Sequence, residues 1–149
     1  MITITVQQTG TSVEDQMQAI TKATTKESGT EAENIIKERV GRGLNIKDQL
    51  MDPYSAMATA ERKKRGRQTA VRDLSLSGRM MAAMQASRVS ESGGVFTSQI
   101  RFTDALSARK AEENQERDEW FGLSPNDERL VRDFMQDILD QEVQLANTR

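Results

Sequence analysis

The 149-residue chain carries a basic run, Arg62-Lys63-Lys64-Arg65-Gly66-Arg67, with Arg72 a short way on. Cationic side chains at this density can neutralise phosphates, each contact releasing counterions. Reading a duplex would also need Asn, Gln or Arg at base edges, and Gln68 and Arg72 are at hand. No aromatic interleaves the run, so stacking on single strands is not expected. No helix-turn-helix, finger or RRM pattern surrounds it. The competing expectation is a solvated face, or a salt-bridge partner for acidic residues of another subunit.

A second constellation is Asp133, Asp137 and Asp140, at i, i+4 and i+7 on one helix face. Three carboxylates so placed could ligate a hard cation. Such a site needs a convergent partner element, and none is marked, so they are expected to be the polar side of an amphipathic helix. Catalytic groups are scarce. The chain has no histidine and no cysteine. That excludes disulfides, thiolate zinc sites, a cysteine nucleophile and the usual general base. Ser75, Ser77, Ser87 and Ser90 lack a histidine partner, and there is no G-x-S-x-G turn. Gly41-Arg42-Gly43 is no phosphate loop, because G-x-x-x-x-G-K-[ST] is absent. We therefore expect no enzyme, no cofactor, no metal and no small-molecule substrate.

The elements that must position these groups are expected to be mostly helices. Residues 2–6 alternate Ile-Thr-Ile-Thr-Val, a strand pattern that must pair either with residues 95–102 or with a neighbouring chain. Ser12 is suited to cap a helix from Val13, with Met17 and Ile20 on one face, ending at Glu27-Ser28-Gly29. Thr30-x-x-Glu33 restarts a helix carrying Ile35, Ile36 and Val40, which Gly41-Arg42-Gly43 breaks. Asp52-Pro53 begins another that runs into the basic segment. Residues 69–91 read as a helix with a Met-rich patch at Met80, Met81 and Met84, expected as core filling or as an adaptable contact surface. Ser92-Gly93-Gly94 is the strongest break, followed by a strand-like stretch at 95–102. Thr103 or Asp104 caps a very polar helix to about Phe121, and Gly122 stops it. Ser124-Pro125-Asn126-Asp127 opens the most amphipathic segment, with Leu130, Phe134 and Ile138 in one row.

The predicted fold is mainly α: helical hairpins or a bundle with short extended β arms at 2–6 and 95–102. The predicted division is an N-terminal arm at 1–12, a helical region at 13–91 containing the basic segment 62–72, a Gly-led extended segment at 92–103, and a C-terminal helical hairpin at 104–149. Ile, Leu, Val and Phe total 29 residues, just under a fifth, the edge at which chains stop folding alone. Net charge is only −2, so the other half of the disorder signature is missing. A thin core with little net charge suggests burial completed against partners. The charge is also unevenly placed. Residues 60–80 hold seven basic side chains against two acidic, and residues 104–142 hold twelve acidic against five basic. Opposite blocks can attract one another between copies or draw different partners.

We expect a non-enzymatic structural or adaptor protein that assembles with copies of itself or with other subunits. Its expected protein interface comprises Ile2, Ile4, Val6, Trp120, Phe121, Leu130, Phe134 and Ile138. Trp120 and Phe121 have a second expected role, closing the last two helices together. The alternative is a small nucleic-acid-binding accessory protein using Arg62, Lys63, Lys64, Arg65, Arg67 and Arg72. A further alternative is a secretion-machine subunit, or an inhibitor of a host protein. In general character (few aromatics, no Cys or His, capped helices joined by Gly breaks, extended arms) the chain resembles small connector, tail or internal proteins of tailed bacteriophages, and also subunits of bacterial secretion machines. That resemblance implies assembly, and incorporation into a virion or other large structure. No secretory signal or membrane span is expected, because no stretch approaches ~18 apolar residues. Synthesis in the cytoplasm follows from that expectation.

Overall fold

The structure is a computed structural model that describes residues 1–7, 15–75 and 77–147. The elements in order are β1 (Ile2–Gln7), α1 (Asp15–Gly41), α2 (Ala56–Lys64), α3 (Arg79–Ala83), β2 (Met84–Ala86), β3 (Ser90–Ser92), β4 (Val95–Phe102), α4 (Ala105–Gln115) and α5 (Pro125–Asn147). The expected Ser12 cap and helix start at Val13 lie outside the described residues, as does the Val6 side chain.

An antiparallel sheet is built around β4. β1 pairs along one side of it, from Ile2 opposite Ile100 to Gln7 opposite Val95. β2 and β3 share the other side in succession. Ser92 pairs with Val95 across Gly93 and Gly94, whose φ values are +58° and +78°. Two consecutive left-handed residues make the tight hairpin turn that matches strand twist, and glycine takes that conformation without steric cost. Along β4, Phe96, Ser98 and Ile100 are buried, and Phe102 is half-buried against the same core. Ile2 and Ile4 add to that face, because directly opposed residues of paired strands point the same way.

α1 packs on β1, β2 and β4 and also on α5. Its sheet side is built of small residues, with Thr21, Thr24, Thr25, Ser28 and Ala32 all buried. Gly29 lets the helix lie close to the sheet: a Cβ there would collide with the Ser98 hydroxyl. The core joins Ile35, Ile36 and Val40 of α1 to Met80, Met84, Ile100, Ala111, Trp120 and Val131.

The mainly α expectation is overturned. Helices cover about half the chain, and the remainder includes a four-strand antiparallel sheet. Residues 2–6 and 95–102 are sheet strands rather than extended arms, and of the two pairings expected for 2–6 the one within the chain is made. They pair with each other, because a lone short strand cannot satisfy its backbone.

Other boundaries moved as well. Gly29 does not end a helix; α1 runs through it as one element of 27 residues, and the glycine serves close packing. The expected helix at 69–91 is mostly absent. Residues 65–75 and 77–78 lie outside helix and strand, α3 holds five residues, and 84–86 and 90–92 are strands. Met84 is fully buried opposite Phe102, so tertiary pairing outweighs its helical spacing. The first helix after Pro53 is capped by Ser55, whose Oγ accepts from the Ala58 N–H at 3.2 Å. α4 ends at Gln115 rather than near Phe121. The expected C-terminal hairpin does not form either: α4 packs on α3 and β4, while α5 packs on α1.

Candidate functional site

The basic segment divides into buried and exposed arginines. Arg62 and Arg72, both expected as surface contacts, are only 1% and 2% exposed. Their charges are consumed inside the fold. Arg62 Nη2 donates to Asp73 Oδ1 at 2.9 Å and its Nε to the Gln68 carbonyl at 2.7 Å. Its guanidinium lies 4.3 Å from the centre of the Tyr54 ring, a cation–π contact. Tyr54 Oη donates to Asp73 Oδ1 at 2.9 Å and accepts the Leu74 N–H at 3.1 Å. Leu74 takes a left-handed φ of +54°, which costs a branched side chain and is held by this bond. Burial, with the Asp73 hydrogen bond and charge adding to it, pushes the Tyr54 hydroxyl up to about 12. Burial also works to raise the Asp73 carboxyl. Hydrogen bonds from the Gln68 side chain, the Ser75 N–H and Tyr54, with the Arg62 charge, outweigh it and hold the group below its ordinary value. Arg72 reaches the other way, pairing with Asp118 and donating to Asn114 Oδ1 at 2.7 Å. The two arginines fold the loop after α2 back onto Tyr54 and the end of α4.

Lys63, Lys64, Arg65 and Arg67 remain exposed. Arg65 holds Glu61 at 2.7 Å across one helical turn. α2 packs extensively along no other described helix or strand, and is fixed mainly through Arg62. On its outer face Met57 is 84% exposed, with Ala56 and Ala60 exposed beside it.

The expected protein interface divides in the same way. Ile4 and Trp120 are core residues, 7% and 0% exposed. They leave the surface set because they fill the space between sheet and helices. Trp120 Nε1 donates to the Ala111 carbonyl at 3.3 Å, and its ring packs edge-on to Phe102 and against Phe121. Ile2 and Phe121 are partly buried against the core. On α5, Val131 is buried while Phe134 and Ile138 are half-buried. Leu130 and Val143 are 41% and 54% exposed. Asp133, Asp137 and Asp140 are exposed on the solvent side, and Asp140 accepts from Gln136 Nε2 at 2.8 Å.

α5 is anchored at its first turn. Ser124 and Asp127 cap it reciprocally, each side chain accepting the other's backbone N–H at 3.1 Å. Asp127 Oδ2 also receives Arg39 Nε at 2.7 Å, both side chains fully buried. Arg39 then donates to the carbonyls of Leu44, Trp120 and Gly122 at 3.0, 3.0 and 2.6 Å. Sequence reasoning missed this hub. The signal available was an arginine flanked by Ile36 and Val40 on an apolar helix face. It also missed an open groove between α1 and β2 that carries Lys22, Lys26 and Arg88 on its walls.

Among the described residues no helix is long and apolar enough to cross a membrane, and no cluster of three acidic side chains could hold a metal ion. Compared with protein-family profiles, curated proteins and solved structures, the chain matches none.

Proposed function

We propose that this chain is a non-enzymatic structural or adaptor protein that works by assembling with copies of itself or with other subunits, as a component of a virion or comparable large structure. The observation that carries the reading is the apolar surface left open on α2 and α5. Met57, Leu130 and Val143 stand well out of the core on two helices of opposite charge. A partner surface has an apolar centre inside a polar rim. The outer side of β1 adds to this. Among the described residues no strand pairs there, and it bears no charge or proline to block strand addition. Light scattering coupled to size exclusion, at low and high salt, tests the proposal. A discrete oligomer is expected. A 16.7 kDa species in both conditions would remove self-assembly.

A second reading rests on the four cations that stay exposed, Lys63, Lys64, Arg65 and Arg67. They suit contact with phosphates, and this reading predicts duplex binding that weakens steeply with salt. The contact set is smaller than the sequence suggested, since Arg62 and Arg72 are spent internally. Fluorescence anisotropy with a labelled duplex at two salt concentrations decides it, and salt-independent or absent binding would end it.

A further inference from the structure

We infer that α5 of one copy docks on α2 of the next, making a head-to-tail contact between unlike surfaces of the same chain. The inference rests on the proposed self-assembly and names its interface. On the outer face of α2, Met57, Ala60 and Lys64 stand at i, i+3 and i+7, with Lys63 beside them, all exposed. On α5, Leu130 and Phe134 form an apolar row at i and i+4. Asp133 and Asp137 border it on the solvent side, each three residues beyond its apolar neighbour. Neither aspartate has an ion pair among the described residues, and neither lysine does.

The two faces match in sign and spacing. Met57 to Lys64 and Leu130 to Asp137 are both seven-residue steps, about 10.5 Å along a helix axis. Laid parallel, the helices set Met57 and Ala60 against Leu130 and Phe134 while the lysines reach the aspartates. The named residues of both faces are exposed except Phe134, which is half-buried. α2 is held mainly by Arg62 on its opposite side, and α5 packs on α1 through Val131 and Met135. Among the described residues α2 and α5 make no extensive contact within one chain. Because donor and acceptor surfaces differ, the contact repeats from copy to copy and generates a closed ring or an open filament. Opposite charge sets the register, and the apolar pair supplies the burial.

The test uses two charge-reversed full-length chains, Lys63→Glu with Lys64→Glu, and Asp133→Lys with Asp137→Lys. All four positions are exposed, and circular dichroism confirms that each variant folds. Sedimentation velocity over a concentration series gives the result. Each variant alone should lose about tenfold or more in self-association, since like charges then face each other. Mixing the two should restore assembly, because the acidic α2 of one variant meets the basic α5 of the other. Two variants that assemble like the wild type would overturn this interface and leave self-assembly standing. A wild-type chain that stays monomeric would overturn both. In that case, duplex DNA binding lost on Lys63→Glu with Lys64→Glu would hand α2 to nucleic acid.

Discussion

Arg39 bonds an aspartate 88 positions away, whereas Arg62 bonds one 11 positions away. Both pairs are buried, yet they are built differently. Arg39 has its Nε on Asp127 and its remaining nitrogens on three loop carbonyls, so one side chain joins α1, the 42–51 turn, the 116–124 loop and α5. Arg62 closes only the loop after its own helix, and its Nη1 is buried without a hydrogen-bond acceptor among the described residues. A buried charge is strongly costly to strand and of modest net worth when paired. The first pair therefore governs the whole fold. The second governs a local segment and leaves the α2 lysines facing outward.

Arg39→Met should have the largest effect. It strands Asp127 and frees three carbonyls, and should cost about 3–5 kcal/mol of stability. Chemical denaturation measures this, and a loss below about 1 kcal/mol would refute the hub. Next comes the close approach of α1 to the sheet. Gly29→Ala forces a Cβ onto Ser98, and overpacking of this kind should cost about 1–3 kcal/mol in the same assay.

Asp73→Asn should cost less, about 1–2 kcal/mol, with the loss confined to the α2 loop. Hydrogen exchange should then show lost protection at 65–75 and unchanged protection in α1 and β4. Loss in all three would mean the two clusters are one unit.

A smaller effect is set by pH in the Arg62 cluster. Tyr54 is the chain's single tyrosine, so its titration is read directly by absorbance. The hydroxyl is raised from 10.0 to about 12, so its contribution is complete below pH 10 and fades as pH rises through 12. Asp73 is lowered from 3.8, so its contribution is present above that value and is lost as pH falls through the lower folded value. A tyrosinate transition at 10 would break the cluster as described. The smallest effect is on the outer face of α2, where Lys63→Gln with Lys64→Gln should move stability by no more than about 0.5 kcal/mol.

Much of the local structure was legible in the sequence. The strand alternation at 2–6, the Gly93-Gly94 turn, the Ser124-Pro125-Asp127 helix start and the amphipathic row after it all reappear in place. These signals are local, since each depends on backbone conformation or capping within a few residues. The errors cluster where a residue's partner is distant. Met80, Met81 and Met84 keep helical spacing, yet Met84 sits in a strand because β4 offers it a ladder and a buried site. Arg62 and Arg72 looked like surface cations because Asp73 next to Arg72 gave no hint of facing Arg62, and Asp118 lies far along the chain.

Composition sets the chemistry at hand: no imidazole or thiol, few aromatics, and charge divided into a basic and an acidic block. Residue order sets where helices and turns could begin. Which charges face water depends on the folded chain. Arg39, Arg62 and Arg72 lie inside while Lys63, Lys64 and Asp137 lie outside, although all are ionic. The reason is that a charge can be buried only where a partner and enough hydrogen bonds converge, and convergence is a property of the folded chain.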